Sequence, residues 1–350
     1  MMIEEVRVYS QQLSEAVFDK PGELVHWMGA VQAQHYQMAK WAVGLRLKSA
    51  TLQTVEEALR RGEILRTHVM RPTWHFVAAE DIRWMLKLSF SRIKSANESF
   101  AKSKNLGITE KSYFRCNRLF ERILEGNRSL TKEEIATELM KAGLVVDFAR
   151  LTHYLTRAEA EGIVCSGVDK DKKSTYALLE ERVPPVKELH REEALAKLAV
   201  SYFRSHSPAS LQDFVWWSGL SIGDARHAMD LIRSELTSDR FASSRLFVHS
   251  SCDKNMNIDR ILHFLPAFDE YLISYKERET ILNREYYFKA FNRWGTFYPV
   301  ILYNGKIVGN WNKVASRGQV SVETSFFERM ELDCGLLKAA EKRYKEFIMT

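Results

Sequence analysis

The sequence predicts a helix-rich α+β protein, built from tandem winged-helix domains and a C-terminal antiparallel β-barrel-like domain. Over the first two-thirds of the chain, apolar residues recur with a period near 3.6, which is typical of amphipathic helices. After residue 265, apolar and polar residues alternate on both sides of Asn304-Gly305, and this dipeptide is the strongest short signal for a β-hairpin. Together these patterns predict helical domains first and a β-rich domain last.

A loose internal repeat predicts the winged-helix units. Residues 57–77, 158–179 and 211–264 each show helical periodicity followed by two β-rich runs. Three helices followed by a two-stranded hairpin make a winged-helix unit, a variant of helix-turn-helix. We therefore expect a first unit over 1–106 with a glutamine motif and the wing hairpin, a second over 107–183, a third over 184–264, and a β-rich domain with a closing helix over 265–350.

Polar residues mark the starts of several predicted helices. Thr54 and Thr131 are each followed three residues later by glutamate, the spacing of a capping box, and each predicted helix stops at a glycine. Ser210 begins a weaker version of this pattern. We further expect a helix over 6–17, and an amphipathic helix over 336–347 that covers the C-terminal strands.

Composition is that of an ordinary folded protein, and it excludes several classes of function. Of 350 residues, 45% are hydrophobic and 27% are charged, and no apolar run approaches the ~20 residues that cross a bilayer. The start lacks the basic and apolar regions of a secretory signal. The four cysteines lie far apart without a CxxC pair, so we expect no zinc site, no disulfides and a cytoplasmic location. Motifs of P-loop enzymes, dinucleotide-binding folds, zinc proteases and α/β-hydrolases are absent, and we expect no cofactor.

Positive charge is concentrated in one stretch, which we call the basic stripe. The net charge is +6, and residues 91–128 contain nine cations and four anions. Such a stripe can neutralise nucleic-acid phosphates, although a solvated helix face gives the same pattern. The nine cations are Arg92, Lys94, Lys102, Lys104, Lys111, Arg115, Arg118, Arg122 and Arg128.

Gln32 and Gln34 are the candidate catalytic residues. Two positions apart on a helix they would point in different directions, whereas in an extended or turn segment they face the same way. Gly29 and Ala30 favour a loop between helices here. Adjacent amides offer acceptors and donors that could hold a water, a sugar oxygen or a base edge, although neither can act as a general base. The alternative is that they only satisfy backbone groups of the loop.

The stretch over 66–77 predicts a β-hairpin rich in cations and histidines, with Pro72 at its turn. Such a wing can enter a minor groove, where arginine responds to groove width and potential. A hairpin with one packed aromatic face and one exposed polar face is the alternative. The candidate DNA-binding residues of this hairpin are Arg66, His68, Arg71, Thr73 and His75.

Two pairs of carboxylates are candidates for stabilising a cationic sugar or activating water. Asp81, next to Glu80, is more simply explained as a first-turn residue of a helix over 82–88. Asp269 and Glu270 are more simply explained as a brace at a domain junction. Neither pair is therefore our first candidate for chemistry.

Taken together, these motifs resemble the AlkZ/YcaQ-like winged-helix DNA glycosylases of bacteria. The similarity extends over nearly the whole chain, in the order that the family has. YcaQ-like members carry aspartate at the second position of the glutamine motif, so Gln34 is closer to the AlkZ branch. Ala33 is smaller than the apolar residue often found there, and 72–74 also depart from the common pattern, which indicates a different pocket. The matching segments are 31–34, 44–46, 67–77 with Asp81 after it, 265–272 and 305–311.

The resemblance implies tandem winged helices around a C-terminal β-barrel, and removal of alkylated, N7-substituted purines from double-stranded DNA. Some members of this family also unhook interstrand crosslinks. The family's glutamine–apolar–glutamine motif lies in the catalytic cleft, and it carries over onto Gln32 and Gln34. The resemblance implies no membrane or small-molecule cofactor. Besides the hairpin residues, we expect Arg46, Lys313 and Arg317 to contact DNA.

Two other classes of function stay open at this point. A non-catalytic winged-helix DNA-binding protein or transcriptional regulator would use the same hairpin and would not need the glutamines. A protein–protein scaffold built on a winged-helix frame would show no salt-dependent affinity for DNA.

Overall fold

The computed structural model describes residues 2–241, 244–252, 258, 260–316 and 319–349. The chain divides into two compact units. Unit 1 comprises Met1–Glu56 and Leu195–Thr350, and unit 2 comprises Glu57–Ala194. Unit 1 is therefore discontinuous in sequence, whereas unit 2 is one continuous stretch. None of the described helices is both long and apolar enough to cross a membrane.

The protein combines α-helices with antiparallel strands, so the predicted α+β class is confirmed. In chain order, the helices are α1 (Ile3–Ser10), α2 (Pro21–Met28), α3 (Tyr36–Gly44), α4 (Leu52–Arg61), α5 (Ala79–Ser103), α6 (Glu110–Leu124), α7 (Lys132–Lys141), α8 (Phe148–Ala160), α9 (Leu179–Arg182), α10 (Arg191–His206), α11 (Leu211–Ser218), α12 (Ile222–Leu231), α13 (Glu270–Ile273), α14 (Tyr287–Ala290) and α15 (Cys334–Met349). The strands are β1 (Val31–Gln32), β2 (Ile64–Val69), β3 (Thr73–Ala78), β4 (Leu130–Thr131), β5 (Val164–Ser166), β6 (Thr175–Leu178), β7 (Leu236–Phe241), β8 (Ser244–His249), β9 (Leu262–Leu265), β10 (Val300–Tyr303), β11 (Lys306–Ser316) and β12 (Gln319–Phe326).

Unit 2 contains a hydrophobic core built from α6, α7, α8 and a three-stranded sheet in the order β4-β6-β5. The predicted capping box at Thr131 is confirmed, because its N–H donates to Glu134 Oε2 at 2.7 Å and its hydroxyl accepts the N–H of Glu134 at 3.2 Å. The core residues include Tyr113, Phe120, Ile135, Leu151 and Val164. Helix caps and periodic apolar residues therefore agree on where these helices begin and which face they bury.

The predicted hairpin over 66–77, which lies in unit 2, is confirmed as β2 and β3, and its role as a wing stays a prediction. These strands pair antiparallel from Val69↔Thr73 at the turn to Ile64↔Ala78 at the open end. The chain reverses direction at Met70, which has a positive φ of 58°. In this register His68 pairs with Trp74 and lies on the opposite face from Thr67 and His75.

The C-terminal strands of unit 1 form an antiparallel sheet in the order β12-β11-β10-β9. The predicted two-residue turn at Asn304-Gly305 is confirmed, with positive φ angles of 43° and 79°. In the described part of the chain this sheet is open, so the predicted barrel-like closure is not confirmed. Four strands are too few to close around a core, and α15 packs against the sheet instead.

Helix α15 confirms the predicted closing helix, and it also packs against α3. Phe347 and Tyr344 of α15 lie with their rings 5.0 and 5.2 Å from the ring of Trp41. A side chain at Gly44 would overlap the ring of Phe347, so this close approach requires glycine. The last helix is therefore part of the same core as the first helices.

Three helix boundaries differ from the prediction. The helix expected over 6–17 ends at Ser10, because Gln12 takes a positive φ of 59° and breaks it. Helix α4 begins three residues early, since Thr51 and Thr54 cap it through reciprocal hydrogen bonds of 3.2 Å. The helix expected over 82–88 is the 25-residue α5. Asp81 does lie in its first turn and accepts the indole N–H of Trp84 at 2.9 Å.

The division into two units cuts across the predicted domain limits. Unit 2 begins inside the first predicted unit and ends beyond the second. The four-part division at 106, 183 and 264 therefore stays a prediction based on the repeat.

Candidate functional site

The glutamine motif lies between two helices of unit 1, as predicted. Helix α2 ends at Gly29, whose φ is +77°, and β1 carries the chain in extended form through Gln32. Helix α3 then begins after His35, whose Nδ1 accepts the N–H of Met38 at 3.3 Å. Gln32 is 4% exposed and Gln34 is exposed, so the two amides have different surroundings.

Glu270 holds this segment from within unit 1. Its side chain is fully buried, and its Oε1 accepts the backbone N–H of Gln32 at 2.6 Å. Its Oε2 accepts the indole N–H of Trp217 at 3.2 Å and the hydroxyl of Ser274. Hydrogen bonds to a charged acceptor are among the stronger ones, so these three donors fix the main chain at Gln32 relative to α11 and α13.

His206 lies beside the same carboxylate, with its Nε2 3.7 Å from Oε2 of Glu270. The imidazole stacks on Tyr202 with ring centroids 4.9 Å apart. Burial lowers the pKa of His206, although the charge of Glu270 acts in the opposite direction. The ring therefore favours its neutral form beside the carboxylate.

Arg46, which we expected to contact DNA, does not fit that role. It is 1% exposed, and its guanidinium donates to both carboxylate oxygens of Asp269 at 2.8 and 2.9 Å. It also donates to the backbone and side-chain oxygens of Gln11. The arginine therefore joins the end of α3 to the segment that carries Glu270, which makes it a structural residue of unit 1. The sequence could not show this, because only the fold brings Asp269 to it.

Asp269 and Glu270 thus brace unit 1 from within, whereas the prediction was a brace at a domain junction. Asp269 also accepts the N–H of Tyr271 at 2.9 Å at the start of α13. The part that the sequence missed is the link from Glu270 to Gln32. The signal available in the sequence was the acidic pair Asp269-Glu270 after a β-strand. The spacing of residues could not show that Glu270 contacts Gln32.

In unit 2, the hairpin places an arginine and a histidine against one aromatic ring. The guanidinium of Arg66 lies 4.3 Å from the ring centroid of Trp74, and the ring of His68 lies 4.0 Å from it. His68 Nδ1 is also 2.5 Å from Oε2 of the fully buried Glu159 in α8. Burial raises the pKa of Glu159, while the charge of His68 acts against this shift. Glu159 is a second residue that sequence reasoning missed, since it lies 91 positions from its partner.

The remaining predicted DNA contacts fall into two groups. Arg66, Arg71 and Thr73 are partly exposed, and Lys313 is exposed on β11. His75 is fully buried, with its Nδ1 2.9 Å from the backbone oxygen of Thr73, so it supports the hairpin from inside. Arg317 lies outside the described residues.

The basic stripe lies on exposed parts of unit 2. Lys94 is partly buried and pairs with Glu98 and Glu110 at 3.8 and 3.7 Å, so its charge is already offset. In the described ranges no group of three or more His, Cys, Asp or Glu side chains is arranged to hold a metal ion. The exposed cations of the stripe are Arg92, Lys102, Lys104, Lys111, Arg115, Arg118, Arg122 and Arg128.

Comparison with known proteins defines the class of protein. The sequence profile of the family described as DNA glycosylase AlkZ-like matches residues 25–347, and the chain belongs to this family. The protein is therefore a DNA glycosylase, an enzyme whose substrate is DNA, and the predicted resemblance is confirmed. A non-catalytic DNA-binding role is not favoured.

Two relatives show how far the similarity extends. A curated relative, the interstrand DNA cross-link repair glycosylase of Streptomyces sahachiroi, is 23% identical over an alignment of 350 positions that covers 96% of this chain and 92% of the relative. The solved structure of Streptomyces sahachiroi DNA glycosylase AlkZ is similar with a TM-score of 0.79 at 20% identity, covering 99% of this chain and 96% of that one. At this identity the structural match shows a shared fold.

Proposed function

We propose that this glycosylase hydrolyses the N-glycosidic bond of N7-alkylated purines in double-stranded DNA, and that interstrand crosslinks are among its substrates. The name of the curated relative, an interstrand cross-link repair glycosylase, supports the second part. The nature of the glutamine motif supports the first. Two neutral amides offer weak catalysis, which suits a base that already carries a positive charge and leaves readily.

The proposed reaction needs a placed water more than an acid. As the bond from C1′ to the purine nitrogen breaks, its electron pair neutralises the alkylated base and C1′ becomes cationic. The oxygen of water then bonds to C1′, and its proton passes to solvent. Gln32 and Gln34 orient this water from two sides, with no general base supplied by the amides.

The observation that carries this proposal is the anchoring of Gln32. A fully buried carboxylate, that of Glu270, holds its backbone N–H at 2.6 Å. Catalysis by positioning requires that the positioning group does not reorganise during the reaction. A main chain held in this way can keep the amide of Gln32 in a fixed position for catalysis. An amide that only forms hydrogen bonds within its own surface loop would not need this anchor.

For DNA binding we propose the partly exposed residues of the wing hairpin, Arg66, Arg71 and Thr73. The exposed cations of the basic stripe, with Lys313 and Arg317, would contact phosphates. Buried His68 and His75 are proposed to shape the hairpin from inside. We also infer a cytoplasmic location, consistent with four cysteines that are all free thiols.

We further propose that the chain contains three winged-helix units. Support comes from the order of elements, which in the second unit is α6, β4, α7, α8, then the β5–β6 hairpin. The chain from α2 to β3 has the same order, and α10, α11 and α12 are followed by the β7–β8 hairpin. Helix–helix–helix–hairpin three times over is the arrangement that this proposal requires.

Substitution of the glutamines tests the proposed chemistry. Gln32→Ala and Gln34→Ala are each expected to slow release of 7-methylguanine from methylated duplex DNA by about 100-fold or more, the usual cost of losing one transition-state contact. Affinity for the same DNA, measured by fluorescence anisotropy, should stay within a few-fold.

The matched control is Gln37→Ala, since Gln37 is an exposed glutamine on neighbouring α3. Its rate should equal that of the wild type. Wild-type protein that releases no base from methylated or crosslinked duplexes contradicts the proposed substrate. Undiminished release by both Gln32→Ala and Gln34→Ala contradicts the proposed catalytic residues.

A further inference from the structure

A tight turn over 291–297 in unit 1 is held by its own hydrogen bonds. The N–H of Asn292 donates to the backbone oxygen of Thr296 at 3.0 Å, and Asn292 Oδ1 accepts the N–H groups of Trp294 and Thr296 at 2.9 and 3.1 Å. Gly295 completes the reversal with a φ of +79°. One asparagine side chain therefore fixes the backbone at the tip.

The base of this turn is rigid as well. Phe291 and Phe297 form an antiparallel bridge, and their rings stack with centroids 5.0 Å apart. The buried Arg278 lies 5.3 Å from the centroid of each ring, and the ring of Phe268 lies 6.2 Å from that of Phe297. The turn is thus mounted on packed aromatic side chains.

The rigid turn presents an exposed aromatic ring beside a cation. Trp294 is 79% exposed, and the guanidinium of Arg293 lies 4.7 Å from its ring centroid. Residues 286–300 contain two cations, Lys289 and Arg293, and no aspartate or glutamate. Within the described residues, no ion pair offsets the charge of Arg293. The turn therefore exposes the large ring of Trp294 to solvent next to the positive charge of Arg293.

The turn is connected to the glutamine motif through one segment of unit 1. Phe268, which packs on the base of the turn, lies two residues before Glu270, which holds the backbone of Gln32. The turn and the proposed catalytic segment are therefore attached to the same short stretch of chain.

We propose that the Arg293-Trp294 turn is a nucleobase-binding site, in which Trp294 stacks on a base that has lost its stacking partner in DNA and Arg293 contacts a neighbouring phosphate. Aromatic side chains stack on any base, and arginine adds attraction to the backbone, so the pair matches unstacked DNA. The absence of acidic residues in 286–300 favours a polyanion over a protein as the partner. This proposal rests on DNA being the substrate, and it extends the proposed function to a second contact.

The test uses the full-length protein and a duplex that carries 2-aminopurine opposite an abasic analogue. Wild-type protein is expected to quench 2-aminopurine fluorescence as Trp294 stacks on it, and Trp294→Ala should remove the quenching. Trp294→Ala should also weaken affinity for this duplex by about 10- to 100-fold, while affinity for the fully paired duplex changes less than about two-fold. Trp294→Phe, which keeps a ring, should retain most of both effects.

The matched control is Val145→Ala, because Val145 is an equally exposed apolar residue in unit 2. It should change neither quenching nor affinity. Equal quenching and equal affinity for wild type and Trp294→Ala overturn the proposal, and so does a loss of binding to paired and unpaired duplexes alike. The proposal is also overturned if Trp294 is required for binding a protein partner and not for binding DNA. Since the readout is fluorescence without excision, a failure of the proposed chemistry at Gln32 is detected separately.

Discussion

Glu270 shows how a single buried carboxylate can hold the segment that is proposed to carry the catalytic amides. One of its oxygens accepts the backbone N–H of Gln32, and the other accepts donors from Trp217 and Ser274. Removing a buried acceptor leaves its donors unsatisfied, which costs about 1–3 kcal/mol for each. We therefore expect Glu270 to be a positioning residue for Gln32.

Two substitutions of Glu270 separate positioning from general damage. Glu270→Ala should lower the excision rate by about 10-fold or more, because the main chain at Gln32 loses its anchor. Glu270→Gln should be intermediate, since its amide oxygen can still accept Gln32 while its NH₂ opposes the indole N–H of Trp217. The measurement is single-turnover excision together with DNA affinity, which should stay near that of the wild type.

A purely structural role would give a different result. Glu270→Ala and Glu270→Gln would then lose thermal stability to different extents, but their single-turnover rates would equal that of the wild type at a temperature where both are folded. The exposed Glu285→Gln is the control. It should alter neither quantity.

At the scale of elements, local signals predicted most of what is formed locally. The capping boxes at Thr131 and Ser210, the hairpin over 66–77 and the turn at Asn304 were all predicted, because each depends on residues within a few positions of one another. Helix α1 was predicted too long, because apolar periodicity continues after the backbone has already turned at Gln12.

The candidate site was predicted less completely for a physical reason. From their own neighbours, Gln32 and Gln34 were predicted to lie in an extended or turn segment between helices. The carboxylate partners of Arg46 and of the Gln32 backbone lie more than 200 positions away, at Asp269 and Glu270. Contacts between residues so far apart in sequence are set by the packing of the whole unit, so they cannot be predicted from residue spacing or composition.

Strand β9 contributes a pH dependence to stability. His263 donates toward the backbone oxygen of Leu13, and burial together with the charges of Arg343 and Arg46 lowers the pKa of His263 from 6.5 to about 4. In the unfolded chain His263 has a pKa of about 6.5, whereas in the folded chain its pKa is only about 4. Stability from this residue is therefore present above pH ~6.5 and is lost as the pH falls towards 4.

His263→Gln should reduce this pH dependence, because the amide can donate to Leu13 without titrating. Between about pH 7 and pH 5, the wild type should lose about 1–2 kcal/mol more unfolding free energy than His263→Gln. Urea unfolding at the two pH values measures this. Other buried histidines, such as His206, are present in both proteins and cancel. An identical loss in both proteins is the contrary result.

At the scale of the whole molecule, the basic stripe predicts how DNA binding responds to salt. Arg115, Arg118 and Arg122 are exposed on α6 at spacings of three and four residues, so they share one face. Replacing all three by alanine should lower the slope of log affinity against log salt concentration by about 2–3, with a roughly equal effect on every DNA sequence. Fluorescence anisotropy across a salt series measures the slope.

A charge-matched control lies on α15, where Lys338, Lys342 and Lys345 can be replaced together. Lys342 and Lys345 already pair with Glu346 and Glu341 at 3.7 and 2.7 Å, so their loss should change the slope by less than one. If both triple variants change the salt slope equally, the basic stripe is a solvated helix face and not a phosphate-binding surface.

The interruption of unit 1 by unit 2 sets an order of events during synthesis. The rings that pack on Trp41, those of Tyr344 and Phe347, follow the whole of unit 2 in the sequence, so they are translated long after Trp41. At about 5–20 residues per second, this leaves the N-terminal helices waiting tens of seconds for their partners. Unit 2 is continuous and can complete its core first. A stop codon before Cys334 would therefore leave the N-terminal helices of unit 1, and Gln32 with them, without the helix that packs on Trp41.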